Sequence, residues 1–266
     1  MRVALAQVVT GRDISGNLDL VEKFSRKAKE GGAELVVFPE ATMRAFGNSL
    51  LDIAEPLDGP WAARLREIAA ELGIVIVAGM FSPGLAGARK VRNTLVATGP
   101  GVEASYDKIH LFDAFGFAES DTVEAGTRPV TFELGGIVFG LATCYDIRFP
   151  ALFTANADLG AEANIVCASW GSGPGKVDQW RLLARARAVD TTTYVLACGQ
   201  GDPATEGIEA KGSAPTGVGH SAVVSPLGEV LEELDGGTGL LFADLDPAVV
   251  KDARTKLPVL ANRHTF

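Results

Sequence analysis

Gly140-Leu141-Ala142-Thr143-Cys144-Tyr145-Asp146-Ile147-Arg148-Phe149-Pro150 is the stretch from which the rest of the chain can be read. The apolar, β-branched run from Ile137 to Thr143 predicts a buried strand. It stops at a cysteine, and Pro150 stands where the first turn of a helix tolerates proline. A thiol at such a turn lies near unpaired backbone N–H groups and partial positive charge. Both favour a thiolate, and the same donors suit an oxyanion. A free cysteine is more often a small buried hydrophobe, so the catalytic reading of Cys144 needs partners elsewhere.

Working outward, Val130 to Leu134 pairs with Ile137 to Thr143 through Gly135-Gly136, and a helix is expected near Pro150 to Leu159. A strand around Ile165, a helix from Val177 to Val189 with Trp180, Leu183, Ala184 and Ala188 inward, and a strand from Tyr194 to Cys198 follow. Gln200 to Gly217, rich in Gly, Pro and charge, reads as a mobile surface loop. His220 to Ser225 and Glu229 to Leu234 pair across Pro226-Leu227-Gly228, then Gly239 to Leu245 adds a last strand. Asp246-Pro247 starts a helix, and Leu257 to Phe266 is expected as an extended tail.

Towards the other end, strands are predicted at Val3 to Val9, Leu35 to Phe38 and Ile74 to Phe81. Asn17 is expected to cap a helix carrying Leu20, Val21, Phe24 and Ala28, ended by Gly31-Gly32. Asp58-Gly59-Pro60 opens another with Trp61, Leu65, Ile68, Ala69 and Leu72 on one face, closed by Gly73. After a Gly-rich, hairpin-like stretch from Ser82 to Arg92, Asn93 to Thr98 and Val102 to Tyr106 are adjacent strands. Leu111 to Arg128, aperiodic, aromatic and acidic, reads as a functional loop. Back-to-back strand pairs among alternating helices do not suit a plain βαβ sheet. They suit an α/β sandwich of two mixed β-sheets flanked by helices, in one domain over 1–266.

The net charge of −9 argues against nucleic acid as a partner. No apolar run reaches bilayer length, and Met1-Arg2-Val3-Ala4-Leu5-Ala6 lacks a signal-peptide pattern, so a cytoplasmic protein is expected. Cys167 and Cys198 lie inside apolar runs and read as core, and three reduced thiols fit a reducing compartment.

Three predicted strands end in a chemically unusual residue: Glu40 after Phe38-Pro39, Lys108 after Tyr106-Asp107, and Cys144. Convergence of these ends would assemble a base, a cation and a nucleophile, enough for acyl transfer. His110, His220 and His264 are the competing bases for a Cys–His pair, His110 foremost. Their dispersion makes a zinc site improbable. Gly217-Val218-Gly219-His220-Ser221-Ala222 has the outline of a dinucleotide fingerprint but no helix follows it.

With those residues in view, the chain resembles the nitrilase superfamily of carbon–nitrogen hydrolases along nearly its whole length. Phe38-Pro39-Glu40 resembles that family's glutamate motif, Tyr106 to Asp113 its lysine motif, and Thr143 to Pro150 its cysteine motif. Glu119-Ser120, before Ala125-Gly126, falls where the family has a second glutamate. The resemblance implies an αββα sandwich that dimerises through helices into αββααββα. It implies a catalytic set of Glu40, Lys108, Cys144 and Glu119, with the Tyr145 backbone as an oxyanion donor, and no metal or organic cofactor. Cys-Tyr-Asp-Ile-Arg-Phe-Pro is closer to the Nit-type amidases, which include ω-amidase and deaminated-glutathione amidase, than to true nitrilases, which favour tryptophan after the cysteine. The substrate implied is a small-molecule amide such as a dicarboxylate monoamide. Nitrile or N-carbamoyl hydrolysis, or a silent binding protein on the same scaffold, are the alternatives. Residues 41–46 and 113–117 depart from the family pattern. Arg44 and Arg148 are the arginines nearest in sequence to this chemistry. Arg44 is expected to contact substrate, and Arg148 to brace the cysteine turn through Asp146 or Glu119.

Overall fold

The computed structural model describes residues 1–85, 89–114, 116–209 and 214–264. In chain order come β1 (Arg2–Gln7), α1 (Ile14–Glu30), β2 (Leu35–Val37), α2 (Pro60–Leu72), β3 (Val75–Pro83), β4 (Val91–Gly99) and β5 (Val102–Asp107). A short hairpin, β6 (Asp113–Ala114) and β7 (Phe117–Ala118), precedes β8 (Thr131–Leu134), β9 (Ile137–Thr143), α3 (Pro150–Asp158), β10 (Ala163–Ala168), α4 (Lys176–Thr191) and β11 (Tyr194–Gly199). Then follow β12 (Ala222–Val224), β13 (Val230–Glu233), β14 (Gly239–Asp244), α5 (Pro247–Lys256) and α6 (Val259–Asn262).

Two six-stranded mixed sheets result, in the orders β14-β1-β2-β3-β4-β5 and β13-β12-β11-β10-β9-β8. Each has three parallel strands at its centre, β1-β2-β3 and β9-β10-β11, with antiparallel neighbours outside. Strand alternation separates the faces. Val3, Leu5, Leu35, Val37, Val75 and Val77 pack in one core with Phe139, Leu141, Ile165 and Val195 of the second sheet. Their neighbours Ala4, Ala6, Val36, Phe38, Ile76 and Ala78 pack instead with Val21 and Phe24 of α1 and Trp61, Leu65 and Ile68 of α2. Burying side chains of that size contributes roughly 2 kcal/mol each. Phe153 of α3 and Trp180 and Ala184 of α4 cover the second sheet's outer side, completing the αββα sandwich.

Helix boundaries follow where backbone chemistry dictates them. α2 begins at Pro60 and ends on Gly73, which takes a left-handed φ of 60°. α1 starts earlier than expected because Asp13, not Asn17, is its cap and accepts from the N–H groups of Ser15 and Gly16. Asn17 is buried inside the helix, where its amide bonds to Gly11 and to the Met43 carbonyl. The expected extended tail from Leu257 is corrected by α6, a short helical turn, with its last residues 265–266 outside the described residues. The loop after Gln200 is tied at its start: Gln200 is buried and Gly201 N–H donates to the Val8 carbonyl. Residues 86–88, Phe115 and 210–213 of the expected hairpin and two loops lie outside the described residues.

Candidate active site

The carboxyl ends of β2, β5 and β9 do converge, and they bring Glu40, Lys108 and Cys144 to the lining of one cavity. Glu40 leaves β2 against β3, where a Cβ on Gly79 would lie 2.7 Å from the Ala41 nitrogen. Ala41 then adopts a left-handed φ of 58°, which turns the chain sharply after the carboxylate. The Gln200 amide, anchored on Thr10, donates 3.0 Å to the Glu40 carbonyl from the second sheet.

Lys108 follows β5, and its Nζ donates to Glu40 Oε1 at 2.9 Å and to Glu119 Oε2 at 2.8 Å. Glu119 opens a 3-10 turn in the loop whose aromatic and acidic content marked it as functional. Its Oε2 also accepts the Phe112 N–H at 2.8 Å. Asn93 of β4 donates to Glu40 Oε1 at 2.7 Å and to Glu119 Oε1 at 3.1 Å. The Ser169 N–H, just past β10, donates 2.7 Å to Glu40 Oε2. All four ionic or amide side chains are buried.

Cys144 begins a 3-10 turn (Cys144–Arg148) ahead of α3. Its φ of 48° is a strained conformation for a non-glycine residue, of the kind stored at functional sites. Asp146 locks the turn by accepting from Thr143 N–H at 2.8 Å, the Tyr106 hydroxyl at 2.6 Å and the His110 N–H at 2.9 Å. The His110 ring also bonds Asp146 and stacks on Phe149 at 3.7 Å, so it is committed to bracing the turn.

Charge in this dry cluster is uneven. Burial, with Glu119 adding to it, pushes the Glu40 carboxyl above the usual carboxylate range against the pull of Lys108. Burial would lower the Lys108 ammonium, but Glu40 and Glu119 hold it well above its ordinary value. The thiol expectation is corrected: burial first, then Glu40, pushes Cys144 well up despite Lys108. The backbone turn does not outweigh the missing water. Burial thus favours the neutral thiol at Cys144.

Around this floor the cavity wall is apolar and aromatic, with Phe46, Phe112, Phe117, Tyr145, Trp170 and Pro215. Arg148 and Lys176 line it as well. The Arg148 guanidinium lies 5.1 Å from the Trp170 ring centroid and donates to Gln179 Oε1 at 2.7 Å. Burial and the neighbouring Arg148 push the Lys176 ammonium below its usual value. Arg44 is outside the lining; it donates to the Arg12 and Ser49 carbonyls and pairs with Asp52 at 3.1 Å. Arg44, expected at the substrate, thus lies away from the cavity, and Arg148, expected to brace the cysteine turn, lines it. Asp146 and Glu119 are engaged by other donors, and Arg148 faces the cavity. Asn93 and Lys176 were missed from sequence. Asn93 carried one weak signal, a carboxamide within a strand, whereas Lys176 carried none. No group of side chains suited to hold a metal ion occurs among the described residues.

Fold and site define a hydrolase of non-peptide carbon–nitrogen bonds, and the chain belongs to the carbon-nitrogen hydrolase family, which it matches over residues 2–255. It is 54% identical over 272 residues to the "Hydrolase MT0498" of Mycobacterium tuberculosis, covering 100% of this chain and 96% of that one. Against the deaminated glutathione amidase of Escherichia coli O157:H7 it is 33% identical, covering 99% and 97% of the two chains. An amidase of Nesterenkonia sp. AN1, solved with acrylamide added to its active-site cysteine, superposes with a TM-score of 0.80 at 29% identity. That match covers 97% of this chain and 98% of the other.

Proposed function

We propose that this protein hydrolyses a small amide to a carboxylic acid and ammonia through a thioester on Cys144, and that the substrate carries a carboxylate distant from the amide. The observation that carries the reading is the burial of Glu40, Lys108, Glu119 and Cys144 around one cavity. Glu40 takes the thiol proton as sulfur attacks the amide carbon. Lys108 and the Tyr145 N–H stabilise the oxyanion; one such donor is typically worth about 3 kcal/mol. Collapse of the tetrahedral adduct expels the amine, which leaves as ammonia with the proton from Glu40. Glu40 then takes a proton from water, hydroxide adds to the thioester, and the acid departs as the thiolate regains that proton. Glu119 holds Lys108 in place.

At the mouth, Arg148 and Lys176 supply the positive charge that a carboxylate needs on a chain of net charge −9. Arg44, bound to Asp52, is left without such a role. We place the protein in a reducing, cytoplasmic setting as a homodimer joined through helices; Leu182 and Val189 stand exposed on α4. No helix among the described residues is long and apolar enough to cross a membrane.

The test is ammonia release from a panel of ω-amides, neutral aliphatic amides, nitriles and N-carbamoyl amino acids, with intact mass to catch the acyl-enzyme. Turnover is expected for carboxylate-bearing amides first. Preference for nitriles or N-carbamoyl compounds, or an adduct on any residue other than Cys144, overturns the reading.

A further inference from the structure

We propose that Asn93 is a positioning residue that fixes which oxygen of Glu40 carries the proton. The inference rests on the proposed exchange between Glu40 and Cys144. Four atoms form a closed ring of alternating donors and acceptors. Lys108 Nζ donates to Glu40 Oε1 at 2.9 Å and to Glu119 Oε1 at 3.1 Å. Asn93 Nδ2 donates to the same two oxygens, at 2.7 and 3.1 Å. The lysine is a charged donor and the amide a neutral one. Together they tie both carboxylates into one geometry while adding only a single positive charge. The Asn93 backbone joins in: its carbonyl accepts the Lys108 N–H at 2.9 Å. One residue of β4 therefore touches three members of the buried cluster.

The orientation of the amide is fixed by chemistry, since turning it over would set a carbonyl oxygen against two carboxylates. That leaves Asn93 Oδ1 buried with no hydrogen-bond partner among the described residues, a cost that folding alone gives no reason to keep. What the residue supplies is its donor end. With Lys108 and Asn93 both on Oε1, the lone pairs of that oxygen are occupied. Oε2 has the Ser169 N–H at 2.7 Å and room for one more hydrogen. The same residue also meets the thiol: the Cys144 Sγ lies 3.7 Å from the Ser169 carbonyl. Asn93 thus directs proton transfer to Oε2, and its hydrogen bonds favour the ionised carboxylate that the cycle needs.

Asn93→Ala tests this in two arms. Hydrogen bonds to charged groups of this kind scale to about a tenfold to a hundredfold loss in kcat, with KM within about threefold. Without its donor the Glu40 carboxyl rises further, so the acid limb of kcat/KM moves up by about half a unit to one unit. The second arm needs no substrate: the pH dependence of Cys144 alkylation by iodoacetamide, mapped by peptide mass, moves the same way. A merely structural Asn93 would lower the fraction of reactive Cys144 and leave the limb and the turnover per reactive thiol at wild-type values; that result overturns the proposal. If the alanine variant does not fold, Asn93→Asp, nearly identical in shape, decides. Ionised, it repels both carboxylates; protonated, it has one hydrogen for two acceptors. A wild-type rate and wild-type limb in Asn93→Asp overturn the proposal equally. If no amide is turned over at all, the alkylation arm still judges Asn93, while the amide panel judges the function.

Discussion

The floor and the mouth of the cavity are built differently. On the floor, Glu40, Lys108, Asn93 and Glu119 are buried, hang on strands or on a turn bonded to them, and hold one another. At the mouth, Arg148 sits in a 3-10 turn, Lys176 at the first position of α4, and Phe117 on a two-residue strand. If the proposed function holds, the floor carries the chemistry and the mouth the choice of substrate, although Arg148 shares its turn with Cys144; the following experiments press on that separation.

Removing the nucleophile is the harshest. Cys144→Ala is expected to lower turnover by about a millionfold, as loss of a covalent nucleophile does elsewhere. Its thermal unfolding should stay close to wild type, since the turn is held by Asp146 and not by sulfur. Residual ammonia release near the wild-type rate would place the chemistry elsewhere. Glu40→Gln keeps the shape and removes the base, so kcat should fall by about a thousandfold. Both acylation and thioester hydrolysis should slow, and where hydrolysis slows more, a thioester accumulates on Cys144 and is visible by intact mass.

Proton control gives a milder test. Because burial raises the Glu40 carboxyl, the group ionises only above the ordinary carboxylate range. Activity should therefore be lost on the acid side at a higher pH than a free glutamate would give, and Lys108, held well up, should contribute no alkaline limb near neutrality. A pH–rate profile with an acid limb at the model-peptide glutamate value, about 4.3, would assign the base to another group.

The mouth should respond in KM. Arg148→Ala is expected to raise KM for carboxylate-bearing amides by about tenfold to a hundredfold, leave neutral amides almost unchanged, and spare kcat for both. Arg44→Ala, whose guanidinium pairs with Asp52, should alter neither. The smallest effects belong to the cysteines in the strands. Cys198, whose Sγ lies 3.2 Å from the Val37 carbonyl across the two sheets, should cost about 1 kcal/mol of stability as alanine without changing kcat.

The same division explains what could be read in advance. α2 was legible to the residue because Pro60 and Gly73 restrict the backbone by themselves. Glu40, Lys108 and Cys144 were legible because each follows an apolar run that ends abruptly, and strand ends meet on one side of such sheets. Asn93 escaped notice because its partners lie on β2 and in the loop after β7, a juxtaposition that no local pattern contains. Lys176 and Arg148 depend on how two turns fold over the sheet ends, which spacing does not encode. The thiol was misjudged because helix-turn polarity is local, whereas its burial depends on a cavity lined from distant segments, Phe46, Trp170 and Pro215 among them. Asn17 shows the same limit at smaller scale: Asp13 caps the helix, and the Asn17 amide is spent on a buried bond to the distant Met43 carbonyl.

The pairing of β1 has a consequence for how the protein is made. β1 sits inside its sheet, flanked by β2 and by β14, with Arg2 opposite Asp244 and Gln7 opposite Gly239. During synthesis one side of β1 stays open until residues more than two hundred positions later leave the ribosome. At translation rates of about 5–20 residues per second, that interval is on the order of tens of seconds. An apolar strand with an unpaired flank is a template for pairing with another nascent chain. Holding the emerging chain on a chaperone until β14 appears should therefore raise the soluble yield, whereas slowing synthesis lengthens the exposed interval and should lower it.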